Sequence, residues 1–330
     1  MSVPSLTKSH LQMEKEKKNY ETSPGFRQVR CGPAGSIPPK SPAKRDGHSA
    51  PAPTLASAFL PSIITTSPLR TRSPLPGRLR LPRAAMATDS SAAAFQKIQI
   101  QREDTTFDAY VVGKENAPGI VVLQEWWGVD YEIKNHAIQI SKLGGGYRAL
   151  IPDLYRGKVA LDVAEAQHLM EGLDWQGAVK DIQASVKWLK SNGSPKVGVT
   201  GYCMGGALSI ASGVLVPEVD AVVAFYGAPS SELADPSKAK APIQAHFGEH
   251  DNFVGFSDVT AANSLEEQLK SSGVPSEVHI YPGCSHAFMN TSPEALKRKK
   301  GMGLTDENQE AVDLAWSRFS AWMGRFLGSA

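Results

Sequence analysis

A chain of 330 residues that is 41% hydrophobic and 21% charged has the composition of an ordinary globular protein, and its three cysteines exclude a disulfide-built scaffold. The net charge of +2 is the sum of a basic N-terminal part and an acidic remainder. Residues 1–90 carry 14 Lys/Arg against 5 Asp/Glu. The remainder has an acidic excess, so no nucleic-acid partner is predicted. No run approaches the ~20 apolar residues that cross a bilayer, so no membrane partner is predicted either.

Residues 1–90 are predicted to form a disordered extension. Thirteen of the 23 prolines lie in its first 85 residues, and a segment with few apolar runs cannot offset its conformational entropy by burial. Residues 47–88 contain five arginines and no acidic residue, which is typical of an organelle transit segment. The abundance of Pro and Ser favours a chloroplast address. The alternatives are an ordinary disordered tail, or a cytoplasmic chain that starts at Met86.

Residues 91–330 are predicted to form one domain in which strands and helices alternate. The segment GIVVLQE at 119–125 opens with a continuous apolar run, as expected of a strand buried on both faces. Strands are predicted at 97–102, 108–112, 119–125, 147–154, 196–200, 220–226, 242–247 and 276–281. Amphipathic helices are predicted around 133–140, 179–189, 262–269 and 312–326. The alternation predicts an α/β fold with a mostly parallel sheet and helices on both faces.

A cysteine lies in a tight predicted turn between a strand and a helix. The strand at 196–200 runs into GYCMG at 201–205 and then into a helix of small residues. This spacing is typical of a nucleophile elbow, because small flanking residues let the turn hold the nucleophile above the sheet. N–H groups at the start of the helix would stabilise a thiolate of Cys203. The motif alone fits a buried structural cysteine equally well.

Two further candidates follow later strands of the predicted sheet. Asp251 comes after the strand at 242–247, and His286 comes after the strand at 276–281. Nucleophile, acid and histidine in this chain order are typical of α/β-hydrolases, and the carboxyl ends of parallel strands share one edge of the sheet. His286 would take the proton of Cys203 and later activate water. Asp251 would fix the tautomer and orientation of the imidazole.

The residues from about 95 to 327 resemble the dienelactone hydrolase family, also called carboxymethylenebutenolidases. The matching segments are QEWWGV at 124–129, PDLY at 152–155, GYCMGGAL at 201–208, the Asp251 loop ending in Phe253 and Val254, and GCSHAF at 283–288. The resemblance implies an α/β-hydrolase fold that cleaves small esters or lactones, with Cys203, Asp251 and His286 as the catalytic triad. No cofactor or metal is expected.

The same resemblance implies roles for residues beside the triad. Glu125 would hold the resting thiol near its carboxylate until substrate displaces it, and the N–H groups of Met204 and Trp126 would form the oxyanion hole. A carboxylate that closes an apolar strand is costly to desolvate without a partner, and such groups tend to mark sites. From the residues alone, a Glu125 that points to solvent fits equally well.

Trp127, Tyr155, Arg156 and Asn290 are the candidate substrate contacts. Bacterial dienelactone hydrolases carry an arginine four residues after the catalytic histidine, where it holds the substrate carboxylate; this chain has Asn290 there. Arg156 is an unaligned substitute for a second family arginine. Asparagine cannot reproduce bidentate pairing with a carboxylate. We therefore expect the chemistry to be kept, whereas the resemblance does not extend to dienelactone itself as substrate.

Other patterns carry less weight. HFGEH at 246–250 matches the inverted zinc-protease motif, but it spans a strand end and contains glycine, so no metal site is predicted. KRKK at 297–300 is interpreted as a solvated loop. Cys284 is interpreted as small filler, with a regulatory disulfide to Cys203 as the alternative.

Two other functions stay open. Glycoside hydrolysis needs two carboxyl groups across the scissile bond, and Glu125 and Asp251 are the only obvious pair. A binding protein could keep the fold without turnover. The expected partner is a small-molecule ester or lactone, and the chain is expected to be a monomer.

Overall fold

A computed structural model of the chain describes residues 95–328. The predicted extension over residues 1–90 lies outside the described residues. The transit segment and the alternative start at Met86 therefore stay predictions.

The eight strands of the described part form one sheet. They are β1 Gln96–Gln101, β2 Thr106–Gly113, β3 Gly119–Leu123, β4 Arg148–Pro152, β5 Val197–Tyr202, β6 Ala221–Phe225, β7 Ile243–Gly248 and β8 Ser276–Tyr281. Their order across the sheet is β1-β2-β4-β3-β5-β6-β7-β8. β2 is antiparallel to both of its neighbours, and all the other pairs are parallel. The prediction of a mostly parallel α/β sheet is confirmed.

Seven α-helices accompany these strands in the described part. They are α1 Tyr131–Lys142, α2 Val163–Glu171, α3 Trp175–Ser191, α4 Met204–Leu215, α5 Val259–Ser272, α6 Pro293–Gly301 and α7 Gln309–Leu327. Six of them begin at an Asp, Ser or Asn whose side chain accepts a hydrogen bond from the third helical N–H. α4 begins instead at Cys203, whose side chain makes no such bond.

The sheet lies between two hydrophobic cores, one on each face. Successive residues of β3 alternate between them, since Val121 belongs to one core and Ile120 and Val122 to the other. Apolar residues of α3, α4 and α5 cover the first face, and those of α1 and α7 cover the second. Helices thus lie on both faces, as predicted. None of the helices within residues 95–328 is long and apolar enough to cross a bilayer.

The sequence interpretation of residues 297–300 as a solvated loop is wrong. They lie in α6, where Lys299 is only 3% exposed and its Nζ donates to the backbone oxygen of Asp306 at 3.1 Å. The helix begins with Ser292 as its cap and Pro293 in its first turn, which is a start signal that the charge run obscured. Ser292, the cap of α6, directly follows residues 290 and 291.

Candidate active site

Cys203 occupies a strained turn between β5 and α4. Its φ of 55° and ψ of −117° lie in a region that non-glycine residues rarely adopt. The turn is closely packed, because a Cβ on Gly201 would lie 2.2 Å from the backbone oxygen of Gly205. A Cβ on Gly205 would lie 2.6 Å from the backbone oxygens of Leu123 and Gln124. Glycine at 201 and 205 is therefore what lets α4 start directly against the end of β3.

His286 and Asp251 meet beside this turn. Asp251 follows β7 and His286 follows β8, and both side chains are buried. The distance from Nδ1 of His286 to Oδ2 of Asp251 is 2.7 Å. The second oxygen of Asp251 accepts the backbone N–H of Phe253 at 3.2 Å, which fixes the carboxylate. The three residues predicted to act together are thus brought to one edge of the sheet.

The electrostatics of His286 couple it to Cys203. Burial by itself lowers the pKa of His286, but the charge of Cys203 and hydrogen bonds to Asp251 and Cys203 outweigh burial and raise it to about 10. A histidine with such a pKa holds its proton at neutral pH. His286 can therefore donate that proton as a general acid.

Three contacts of His286 were not found by sequence reasoning. The fully buried Ser257 places Oγ 3.1 Å from Nδ1 of His286. The rings of Phe253 and Tyr226 stand edge-on to the imidazole, with centroids 4.6 and 5.0 Å away. Phe253 lies in a segment already singled out after Asp251, whereas no spacing or composition signal distinguishes Ser257. The imidazole is therefore held by two polar contacts at one nitrogen and by aromatic rings at its sides.

Replacing Ser257 with alanine is expected to lower kcat on an ester about 10-fold with little change in KM, because the imidazole loses one of its two fixed contacts. The measurement is a pH profile of kcat, in which a positioning role shifts the limb that reports His286. Ser271→Ala, which removes an exposed hydroxyl bonded to the backbone of Glu267, is the matched control. An unchanged profile and kcat for Ser257→Ala would contradict this role.

Glu125 lies near His286 and accepts two hydrogen bonds. Its Oε1 accepts from the hydroxyl of Tyr226 at 3.1 Å, and its Oε2 accepts from Nδ2 of Asn290 at 3.0 Å. Burial raises the pKa of Glu125 to about 7, although His286 and the two hydrogen bonds pull it down. Within residues 95–328, no hydrogen bond joins Glu125 to Cys203. The role of Glu125 as resting partner of the thiol stays a prediction.

Glu125→Gln is expected to stabilise the protein increasingly as pH rises. Because the pKa of Glu125 is raised from 4.5 to about 7, folding favours its protonated carboxyl. The contribution of Glu125 to stability is therefore complete below pH 4.5 and is lost as the pH rises through 7. Glutamine has no charge to desolvate. The free energy of unfolding of the variant, relative to that of the parent, should therefore grow by about 2 kcal/mol between pH 5.5 and pH 8.5. Urea unfolding at the two pH values measures it. A difference in the free energy of unfolding that is the same at both pH values would refute the shift.

The predicted oxyanion-hole donors lie on two segments that adjoin the elbow. Met204 is the first residue of α4, where N–H groups have no partner within the helix. Trp126 follows Glu125 and is partly exposed. Neither N–H donates to an acceptor within the described part of the chain. Both are therefore available to an oxygen bound near Cys203.

Comparison with known proteins shows to which family the chain belongs. The model of the dienelactone hydrolase family matches residues 107–327, which is more than half of the chain. The chain belongs to the dienelactone hydrolase family. The protein is thus a hydrolase with an α/β-hydrolase fold.

Two relatives of this dienelactone hydrolase family member come from bacteria. Protein usf of Aquifex pyrophilus is 32% identical over 210 residues, which cover 60% of the chain and 89% of the relative. The carboxymethylenebutenolidase of Pseudomonas putida is 32% identical over 219 residues, which cover 59% of the chain and 86% of that enzyme.

Solved structures share the fold. A dienelactone hydrolase-like promiscuous phosphotriesterase from metagenomic libraries superposes with a TM-score of 0.61 at 18% identity, covering 71% of the chain and 98% of that protein. Dienelactone hydrolase from Anabaena variabilis superposes with a TM-score of 0.50 at 20% identity. The match covers 71% of the chain and 98% of that protein.

The candidate substrate contacts of this family member differ in where they lie. The buried hydroxyl of Tyr155 contacts Sδ of Met204, the residue after Cys203, at 3.3 Å. Burial and the charge of Cys203 raise the pKa of Tyr155, so its hydroxyl stays protonated. Arg156 pairs with Asp181 at 2.7 Å and lines a separate cavity of about 360 Å³, of which Tyr155 forms one wall. Of the four candidates, Tyr155 is thus the one that contacts the residue following Cys203.

The other two candidates contact the protein itself. Trp127 is buried beneath Arg298, whose guanidinium carbon lies 4.4 Å from the ring centroid. Asn290 is buried and donates to Glu125. Trp126, which stands edge-on to Trp127 at 5.4 Å, is the more exposed of the two tryptophans. A substrate role for Trp127, Arg156 and Asn290 stays a prediction.

Proposed function

We propose that this protein hydrolyses small esters or lactones with Cys203 as nucleophile, His286 as base and acid, and Asp251 as the group that orients His286. The observation that carries the proposal is the 2.7 Å contact between His286 and Asp251, combined with the raised pKa of an imidazole that interacts with Cys203. Nucleophile, imidazole and carboxylate in hydrogen-bonding succession can activate a thiol for attack on a carbonyl.

The reaction would proceed through a thioester. The sulfur of Cys203 attacks the carbonyl carbon, and the N–H groups of Met204 and Trp126 stabilise the resulting oxyanion. When the carbon–oxygen bond breaks, the proton held by His286 goes to the departing alcohol oxygen, which stays tethered if the substrate is a lactone. His286 then takes a proton from water as the water attacks the thioester. Release of the carboxylic acid restores the sulfur of Cys203.

Uncharged substrates suit this site best. The family arginine that holds a substrate carboxylate is replaced by Asn290, and the amide of Asn290 is already engaged with Glu125. A substrate anion near Asn290 would also face the buried carboxyl of Glu125. We therefore infer simple esters and uncharged lactones as the substrate class.

Glycoside hydrolysis is disfavoured by the surroundings of its carboxyl pair. Both oxygens of Asp251 are occupied, one by His286 and the other by the N–H of Phe253, and the side chain is buried. A general acid or nucleophile of a glycosidase must reach the sugar directly.

The test uses the purified full chain and its Cys203→Ala variant. Both are assayed on p-nitrophenyl acetate, an uncharged lactone, dienelactone and β-glucan. Turnover of the ester and the uncharged lactone that disappears in the variant supports the proposal. Glucan cleavage that survives in the variant would favour the glycosidase, and silence on every substrate would favour a binding protein.

A further inference from the structure

Two buried side chains of α1 contact the segment that follows His286. Glu132 and His136 are four residues apart, so they lie on the same face of the helix, and both are buried. Oε1 of Glu132 accepts the backbone N–H groups of Thr291 at 2.8 Å and Ser292 at 3.4 Å. Glu132 therefore fixes the backbone just after residue 290.

His136 contacts the side chain of Asn290, the residue just before the backbone segment that Glu132 anchors. Nε2 of His136 lies 3.4 Å from Oδ1 of Asn290. Its ring is stacked on that of Tyr202, with centroids 4.3 Å apart, which fixes the orientation of the imidazole. Burial lowers the pKa of His136, so the ring is neutral and donates through Nε2 in one tautomer.

The amide of Asn290 transmits this contact to the candidate active site. An amide that accepts through Oδ1 from His136 must direct its Nδ2 the other way, and Nδ2 donates to Oε2 of Glu125 at 3.0 Å. With the amide reversed, Nδ2 would face the N–H of His136 and Oδ1 would face the carboxylate, and both contacts would be repulsive. With the proton of His136 on Nε2, the orientation of Asn290 is thus set by His136 and Glu125 together.

We propose that Glu132 and His136 are positioning residues, which hold Asn290 and through it the carboxylate of Glu125. The inference rests on the proposed function, because it assigns Glu125 a part in the reaction at Cys203. Without the two residues, Glu125 would keep only its bond to Tyr226 and would be free to rotate away from the imidazole of His286. In the described part of the chain, neither side chain hydrogen-bonds to Cys203, so we expect their effect to pass through Asn290 and Glu125. An effect through Tyr202, on which His136 stacks, would be independent of Glu125.

The experiment is a double-mutant cycle on the full chain. His136→Leu removes the donor, His136→Gln keeps an N–H at a similar reach, and each is made with and without Glu125→Gln. Three quantities are measured: kcat and KM on p-nitrophenyl acetate, and the pH at which iodoacetamide alkylates Cys203 at half its maximal rate. His246→Leu, which replaces another fully buried histidine bonded to Tyr281 and Gln244, is the matched control.

The expected result is a loss that depends on Glu125. When Glu125 is present, His136→Leu should lower kcat about 10-fold and shift the pH midpoint of alkylation. In the Glu125→Gln background, His136→Leu should change kcat by less than twofold and should not shift the midpoint measurably. His136→Gln should recover most of the loss. His246→Leu should have the same effect in both backgrounds.

Two results would overturn the proposal. One is an equal loss from His136→Leu in both backgrounds, which would mean a purely structural histidine. The other is no effect in either background. If the parent hydrolyses no ester or lactone, the proposed function fails, and the alkylation midpoints still decide whether His136 acts on the site through Glu125.

Discussion

Cys203→Ala should abolish ester and lactone hydrolysis, with kcat/KM falling at least about 10⁴-fold. The loss is large because the bond-forming sulfur is gone, and the oxyanion-hole donors alone stabilise only part of the transition state. His286 should lose one of the two partners that raise its pKa, so its titration should move down toward the ordinary value of 6.5. Steady-state kinetics and NMR titration of the imidazole measure the two effects.

Cys284→Ala is the matched control for this substitution. Cys284 is buried two residues before His286, and burial raises the pKa of its thiol to about 11. It should therefore resist alkylation at neutral pH, and its replacement should leave turnover intact. Iodoacetamide at pH 7 should modify Cys203 and remove activity at the same rate. Loss of activity that follows modification of Cys284 instead would contradict the assignment of the nucleophile.

Gly205→Ala should lower kcat about 10²-fold and also reduce the free energy of unfolding by about 2 kcal/mol. The new Cβ would lie 2.6 Å from the backbone oxygens of Leu123 and Gln124, so α4 must move away from the end of β3. That movement separates the N–H groups of Met204 and Trp126, which lie on the two segments pushed apart. The loss of kcat should therefore exceed what the lower stability alone produces.

Kinetics well below the melting temperature, together with urea unfolding, separate these two effects. Gly301→Ala is the control, because no atom lies within 4 Å of its added Cβ. A Gly205→Ala enzyme that is less stable but turns over at the parental rate would show that the spacing of the two N–H groups does not matter for catalysis.

The sequence alone was sufficient for the features that depend on local periodicity and spacing. Continuous apolar runs such as residues 119–123 predicted the buried strands, and helical spacing predicted α1, α3, α5 and α7. The small residues of GYCMG at 201–205 predicted a strand–turn–helix junction, since they determine locally how tight a turn can be. The order of Cys203, Asp251 and His286 along a parallel sheet predicted the edge at which they lie.

The tertiary structure alone decided which side chains surround that edge. Ser257 contacts His286 across 29 residues, and Asn290 joins His136 to Glu125 across more than 150. Such contacts leave no periodicity in the chain, because they depend on how loops from distant strands pack together. The charge run at 297–300 was misread for the same reason: a lysine in an exposed-looking sequence is buried when α6 folds against the segment containing Asp306.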